Sequence, residues 1–226
     1  MNLGKMFADS CSTYKDNRAL VYENSRITFS RMDRAVNSLA NHLKALGIGK
    51  GDKVALMLPN TPEFPITYFA CQKLGAVAVT LNVMSTSHEL RYLLDNSDAK
   101  ALFTAAQSAR RFEEIRDGLA TCRHLLLTEV DEGPLSMKRV LEAGPFEFDP
   151  SDAAEDDPAV MIYTAGLTGK PLGAVLTHGN LISQSRLLAD LFDGSQKDTG
   201  LSLIPLFHSF GAVANMLNPI LMGACV

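Results

Sequence analysis

No two of the four cysteines lie close together: Cys11, Cys71, Cys122 and Cys225 are scattered over 226 residues. That spacing excludes the paired ligands of a zinc knuckle and the vicinal thiols of a redox motif, and it reads as four reduced thiols of a cytoplasmic protein. His42, His88 and His124 have no Asp or Cys at metal-ligand spacing, so no metal site of the protein's own is expected. Long runs of one charge are missing too. The 25 acids and 21 bases sum to a formal charge of −4 without the basic stripe that nucleic acid requires. Residues Met1 to Cys11 contain no continuous apolar segment of signal-peptide length, so export is not expected and the cytoplasm is the expected location. No strand is followed by G-x-G-x-x-G, which argues against a dinucleotide-binding fold.

Apolar residues make up 46% of the chain, enough for a sizeable core. Leu201 to Val226 contains no Asp, Glu, Lys or Arg, but Pro205, His208, Asn215, Asn218 and Pro219 break it into pieces suited to buried strands or helices, not to lipid. No transmembrane segment is expected.

Near the N-terminus, Ala19-Leu20-Val21-Tyr22 and Ile27-Thr28-Phe29 flank a polar tetrapeptide and predict a hairpin. Ser30 is placed to cap a helix carrying Val36, Leu39, Leu43 and Leu46. A repeated unit follows. Strands are expected at Val54–Leu58, Ala76–Thr80, Ala101–Thr104 and His124–Thr128. Between them come a helix opened by Asn60-Thr61-Pro62-Glu63 and running towards Gly75, one from a Ser87 cap to about Leu94, and one near 107–119. Such βα alternation predicts an α/β fold with a mostly parallel sheet flanked by helices. The acidic, Pro-containing stretch from Gly144 to Pro158 reads as a surface connection. It divides the chain into residues 1–150, a first α/β subdomain with its N-terminal hairpin, and residues 151–226, a loop-bearing hairpin and the start of a second, incomplete α/β subdomain.

Between predicted strands at Ala159–Tyr163 and Ala174–Leu176 lies Thr164-Ala165-Gly166-Leu167-Thr168-Gly169-Lys170-Pro171-Leu172-Gly173. Glycines let a backbone approach a ligand and turn several N–H groups inward, while hydroxyls and a lysine add donors for anionic oxygens. The same composition also fits an ordinary long hairpin turn. It is not the G-x-x-x-x-G-K-S/T loop of common nucleotide hydrolases, because the lysine is followed by proline and a strand.

Residues 163–173 resemble the signature loop of adenylate-forming enzymes, Y-T-S-G-T-T-G-x-P-K-G. Leu58-Pro59-Asn60, Lys73-Leu74-Gly75-Ala76, Leu176-Thr177-His178-Gly179-Asn180-Leu181 and Pro205-Leu206-Phe207-His208 follow in family order, so the resemblance spans the whole chain. It implies the N-terminal portion of an acyl-CoA synthetase-like enzyme. Such an enzyme joins a carboxylate to AMP with loss of pyrophosphate and passes the acyl group to coenzyme A. By that resemblance Thr164, Ala165, Gly166, Leu167, Thr168, Gly169 and Lys170 form the loop around the outer phosphates of ATP, with Mg2+ bridging them and Lys170 as counter-charge. His208 would line the acyl pocket; a lone histidine among apolar residues is otherwise a satisfied core group. His178 reads as structural, with Asn180 as the cap of a helix through Leu181, Leu187 and Leu191. The phrase Phe207-His208-Ser209-Phe210-Gly211 points to a fatty or aryl acid.

Two departures qualify that expectation. Ala165, Leu167 and Leu172 stand where the family carries Ser, Thr or Ser, and Lys, each removing a polar group from the phosphate loop and predicting weakened nucleotide binding. The family's adenine-binding motif, ribose-binding aspartate and C-terminal lysine have no counterpart in these residues, and the apolar ending from Ile220 to Val226 reads as a strand cut short. The expectation is therefore a ligase portion inactive by itself, completed by a C-terminal part or dimerising through exposed apolar surface. The alternative is a catalytically silent nucleotide- or protein-binding module.

Overall fold

The structure, a computed structural model, describes residues 1–166 and 170–226. Helix α1 (Leu3–Thr13) opens with Asn2, whose side chain accepts the Lys5 N–H. The hairpin β1 (Arg18–Tyr22) and β2 (Ser25–Thr28) follows as predicted, antiparallel, and turns through Glu23 at φ 51°. Helix α2 (Phe29–Ala45) is capped two residues earlier than expected. Thr28, still extended, accepts the Arg31 N–H at 3.2 Å, and Ser30 already lies inside the first turn.

Five strands run parallel: β3 (Lys53–Met57), β4 (Val77–Thr80), β5 (Ala99–Ala105), β6 (His124–Thr128) and β7 (Pro158–Thr164), with β8 (Leu172–Thr177) antiparallel to β7 at one edge. Their order is β6-β5-β3-β4-β7-β8. The short runs of β3, β4 and β6 are apolar almost throughout because helices cover both faces of the sheet. Helix α3 (Glu63–Leu74) joins β3 to β4, and α4 (Ser87–Ser97) joins β4 to β5. The cap of α4 is Thr86, one residue before the expected Ser87, and it forms a reciprocal pair with Glu89. The single helix expected over 107–119 is divided into a 3-10 turn at Ala106–Ser108, α5 (Ala109–Glu113) and a second 3-10 turn at Arg116–Gly118. Asp117 and Gly118 are poor helix formers, and the Gly118 carbonyl is instead taken by the Arg91 guanidinium at 3.2 Å.

After α6 (Met137–Ala143) the acidic connection crosses α2. Asn41 donates to the carbonyls of Pro145 and Glu147, Asn37 donates to that of Phe146, and Arg34 sits 3.9 Å over the Phe146 ring. The sheet then continues through the boundary expected near residue 150: β7 pairs with β4 through Ala78↔Val160, Val79↔Met161 and Thr80↔Ile162.

One apolar cluster lies between α1, α2, α3 and the sheet, with Phe7 and Phe69 stacked at 4.2 Å; a second lies under α4 and α5. Helix α7 (His178–Phe192) is capped by Thr177, not Asn180. Thr177 Oγ1 accepts the Asn180 N–H at 3.2 Å and Asn180 Oδ1 accepts the Thr177 N–H at 3.1 Å, so Asn180 is the returning partner of the cap. Leu181 of this helix is buried, whereas Leu187 and Leu191 are exposed.

The uncharged segment from Leu201 breaks up as its prolines dictate. It forms α8 (Ser209–Ala212), a π turn at Val213–Leu217 and α9 (Asn218–Met222), which bury Met216, Leu217 and Ile220. Leu201 and Leu203 are 73% and 76% exposed, so this part of the segment is not core. Among the described residues no helix is long and apolar enough to cross a membrane. Val226 lies along β1, its N–H donating to the Ala19 carbonyl at 2.9 Å and its carbonyl accepting the Val21 N–H at 2.7 Å.

Candidate functional site

In an open parallel sheet, ligands collect at the carboxyl ends of the strands. There β3 ends at Met57 and β4 at Thr80, and the two polar side chains at these ends capture a segment far away in sequence. Asn60 Nδ2 donates to the carbonyls of Ser202 and Ile204, each at 3.0 Å, and its Oδ1 accepts the Leu206 N–H at 2.8 Å. Thr80 Oγ1 donates to the Phe207 carbonyl at 2.8 Å. These four bonds set residues 202–207 across the ends of β3 and β4. Neither role was read from the sequence. A polar residue just past an apolar strand run was the available signal, but nothing local names its partner.

His208 follows directly. Its backbone is extended and starts α8, its N–H donates to the Pro205 carbonyl at 3.1 Å, and its ring lies 4.4 Å from that of Phe207. The imidazole is exposed and has no hydrogen-bond partner among the described residues, so it is not a satisfied core histidine. Beside it, β8, α7 and α8 border an open cavity of about 380 Å³ lined mainly by Leu176, Leu181, Leu188, Phe210 and Val213, with Asn180, Gln184 and Ser209 at its polar side. A larger hollow of about 590 Å³ beneath the β1–β2 hairpin, lined by Arg31, Arg34 and Glu63 among others, contains no residue of the glycine loop or of the 205–208 segment; the cavity of about 380 Å³ contains none either, but adjoins that segment through Ser209 and Phe210.

The glycine loop leaves the carboxyl end of β7, next to β4. Of its predicted residues, Thr164, Ala165 and Lys170 are exposed and Gly166 is partly covered; Leu167, Thr168 and Gly169 lie outside the described residues. A Cβ on Gly166 would collide with the Lys170 carbonyl oxygen, so the two arms approach too closely there for any side chain. Lys170 makes no ion pair among the described residues. A pinched, glycine-lined backbone with a hydroxyl and an unpaired ammonium at its rim fits an anionic, phosphate-like group. Leu172, at the last rung of the hairpin opposite Thr164, is 61% exposed and offers that group nothing polar. Among the described residues no three His, Cys, Asp or Glu side chains cluster as a metal would need, so magnesium fits this site only as a companion of phosphates.

His178 is remote from this chemistry. It is buried, its Nδ1 accepts the Leu3 N–H at 3.2 Å, and burial pushes its pKa down to about 4 despite the neighbouring Asp157.

The family model described as "AMP-binding enzyme" matches residues 7–226. The chain belongs to the AMP-binding enzyme family. Among curated members, the crotonobetaine/carnitine–CoA ligase of Salmonella paratyphi A is 32% identical over 219 residues, covering 92% of this chain and 42% of that protein. Among solved structures, the anthranilate CoA ligase AuaEII in complex with anthranoyl-AMP superposes with a TM-score of 0.93 at 25% identity, over 100% of this chain and 43% of that one. ATP-bound MatB from Rhodopseudomonas palustris gives 0.87 at 26% identity, over 100% of this chain and 44% of that one. The chain thus spans about two fifths of the length of these relatives and corresponds to their N-terminal portion. Its mostly parallel sheet flanked by helices is that of the N-terminal part of adenylate-forming enzymes.

Proposed function

We propose that this chain is the phosphate-loop and acyl-wall portion of an ATP-dependent carboxylate–CoA ligase acting on a fatty or aryl acid in the cytoplasm. The observation that carries this reading is the juxtaposition at one sheet end. The glycine hairpin leaves β7, and the Pro205–His208 segment is pinned by Thr80 to the end of the adjacent β4. Phosphate and carboxylate must meet there for an acyl-adenylate to form. The apolar cavity of about 380 Å³ next to His208 suits an aliphatic or aromatic acid better than a charged one.

In this reading Thr164, Thr168 and the loop N–H groups hold the outer phosphates of Mg-ATP, and Lys170 supplies counter-charge. His208 faces the carboxylate. The family's adenine-, ribose- and lysine-bearing elements are not among these 226 residues, so the role proposed for this portion is to hold the phosphates and the acid. The exposed apolar side chains Leu187, Leu191 and Phe192 of α7 would suit contact with another part of such an enzyme or with a second copy.

A second reading, a silent binding module, is favoured by Ala165 and Leu172, which remove donors from the loop's rim. Calorimetric titration with Mg-ATP and with a stable acyl-AMP analogue separates the two. Binding of the analogue supports the ligase portion. Binding of neither ligand, unchanged when Ser, Thr and Lys are restored at 165, 167 and 172, sinks it.

A further inference from the structure

Helix α4 reaches both stems of the glycine loop. The Tyr92 hydroxyl donates to the carbonyl of Pro171, the residue immediately before β8, at 3.0 Å. Pro171 has no N–H, so its carbonyl is the only backbone group by which this position can be tied. On the opposite stem the Tyr163 hydroxyl donates to Asn96 Oδ1 at 2.8 Å and also lies 3.3 Å from the Leu93 carbonyl. Tyr163 reaches α4 by lying across its cross-strand partner Gly173, with Cζ 3.4 Å from where a Cβ would stand; Met161 Sδ is 2.9 Å from the same point. Glycine at 173 therefore keeps a path open for the Tyr163 ring. Both tyrosines pack against the second apolar cluster, beside Leu90, Leu93 and Leu94 of α4. Burial pushes the Tyr163 hydroxyl up to about 12, so it stays a neutral donor near pH 7.

The β7–β8 ladder ends at the Thr164–Leu172 rung, and beyond it the Thr164 side chain adds little. Thr164 Oγ1 is 3.5 Å from the Leu172 carbonyl, the outer limit of a hydrogen bond. We propose that Tyr92 is a positioning residue for the glycine loop: together with Tyr163 it ties both stems to α4 and sets the spacing of the described rim residues Thr164 and Lys170 before an anionic ligand arrives. This rests on the phosphate-binding reading of the loop. Order imposed in advance is entropy that the ligand need not remove on binding.

The test uses Tyr92→Phe in the full chain, which keeps the ring and deletes the hydroxyl. Amide hydrogen exchange of residues 164–173 and calorimetric titration with Mg-ATP are compared with wild type. Faster exchange in that segment and Mg-ATP binding weaker by about three- to tenfold are expected, the size of one lost hydrogen bond, with the exchange of β3 to β6 unchanged. Asn96→Ala, which removes the acceptor of Tyr163 from the exposed face of α4, should shift both readouts the same way. Mg-ATP affinity equal to wild type in both variants overturns the inference alone. A wild-type chain that takes up no Mg-ATP removes the phosphate reading, and the positioning role with it.

Discussion

Asn60 Oδ1 accepts the backbone N–H of Leu206 at 2.8 Å, joining the carboxyl end of β3 to a segment 146 residues further along the chain. With its two bonds to Ser202 and Ile204, this one amide orders the approach to His208. Asn60→Ala removes three hydrogen bonds from a half-buried site, each worth about 1 kcal/mol net. Chemical denaturation should show a loss of about 1–3 kcal/mol, and binding of an acyl-AMP analogue should weaken by at least tenfold. Unchanged analogue affinity would show that residues 202–208 form no part of the site.

Gly166 tests the loop without touching the core. Gly166→Ala places a methyl group against the Lys170 carbonyl, so the two arms must part. Because the loop stands at the exposed end of the hairpin, the thermal midpoint should move by only a few degrees. Mg-ATP affinity should fall by about tenfold or more. An alanine variant that binds as well as wild type would mean that the pinched conformation is not the one that receives phosphate.

Lys73 and Asp33 form an ion pair whose two members differ in their access to water. Lys73 Nζ lies 2.7 Å from Asp33 Oδ1 and 2.6 Å from Asn37 Oδ1; its side chain is 3% exposed, against 30% for Asp33. Removing the carboxylate strands an ammonium that cannot reach solvent, whereas removing the ammonium leaves a carboxylate that can. Asp33→Asn should therefore cost about 3–5 kcal/mol, and Lys73→Met less. Urea denaturation of the two variants checks the order, and the reverse ranking would refute the argument.

His178 gives stability a pH dependence of definite sign. Its folded-state pKa is pushed down to about 4 from an ordinary 6.5, first by burial, so as pH falls the unfolded chain takes up this proton before the folded chain does. Its contribution is complete above about pH 6.5, declines below that, and is gone near pH 4, a loss of at most about 3 kcal/mol. His178→Gln, which keeps an acceptor and cannot ionise, should flatten the wild-type slope between pH 6.5 and 4. Equal slopes in denaturation series at several pH values would assign the dependence to other groups.

Much of the fold is legible in the sequence because short apolar runs punctuated by glycine and proline leave few alternatives to β3, β4, β5 and β6. Strand order is not legible. Nothing in the apolar pattern of β7 says that it joins β4 and not β6, since either neighbour would bury the same side chains. The helix caps missed by small margins for a related reason. Thr28 precedes Ser30, Thr86 precedes Ser87 and Thr177 precedes Asn180, and within each pair either side chain is chemically fit to cap. The one that caps is the one whose backbone is still extended as the chain enters the helix, which depends on where the preceding segment is held.

The glycine loop and the Pro205–His208 segment stand out in the sequence through their resemblance to family motifs, because local chemistry alone fits an ordinary hairpin turn in one stretch and a core histidine in the other. Their anchors do not. Asn60 to Leu206, Thr80 to Phe207 and Tyr92 to Pro171 each join residues 79 or more positions apart. The sequence by itself determined the order of apolar runs and breakers and, through its motifs, which residues are candidates for the chemistry. Only the placing of β4 beside β7, and of α4 against the β7–β8 hairpin, decided which side chains hold those residues in position, because a hydrogen bond depends on distance in space and the sequence records only distance along the chain.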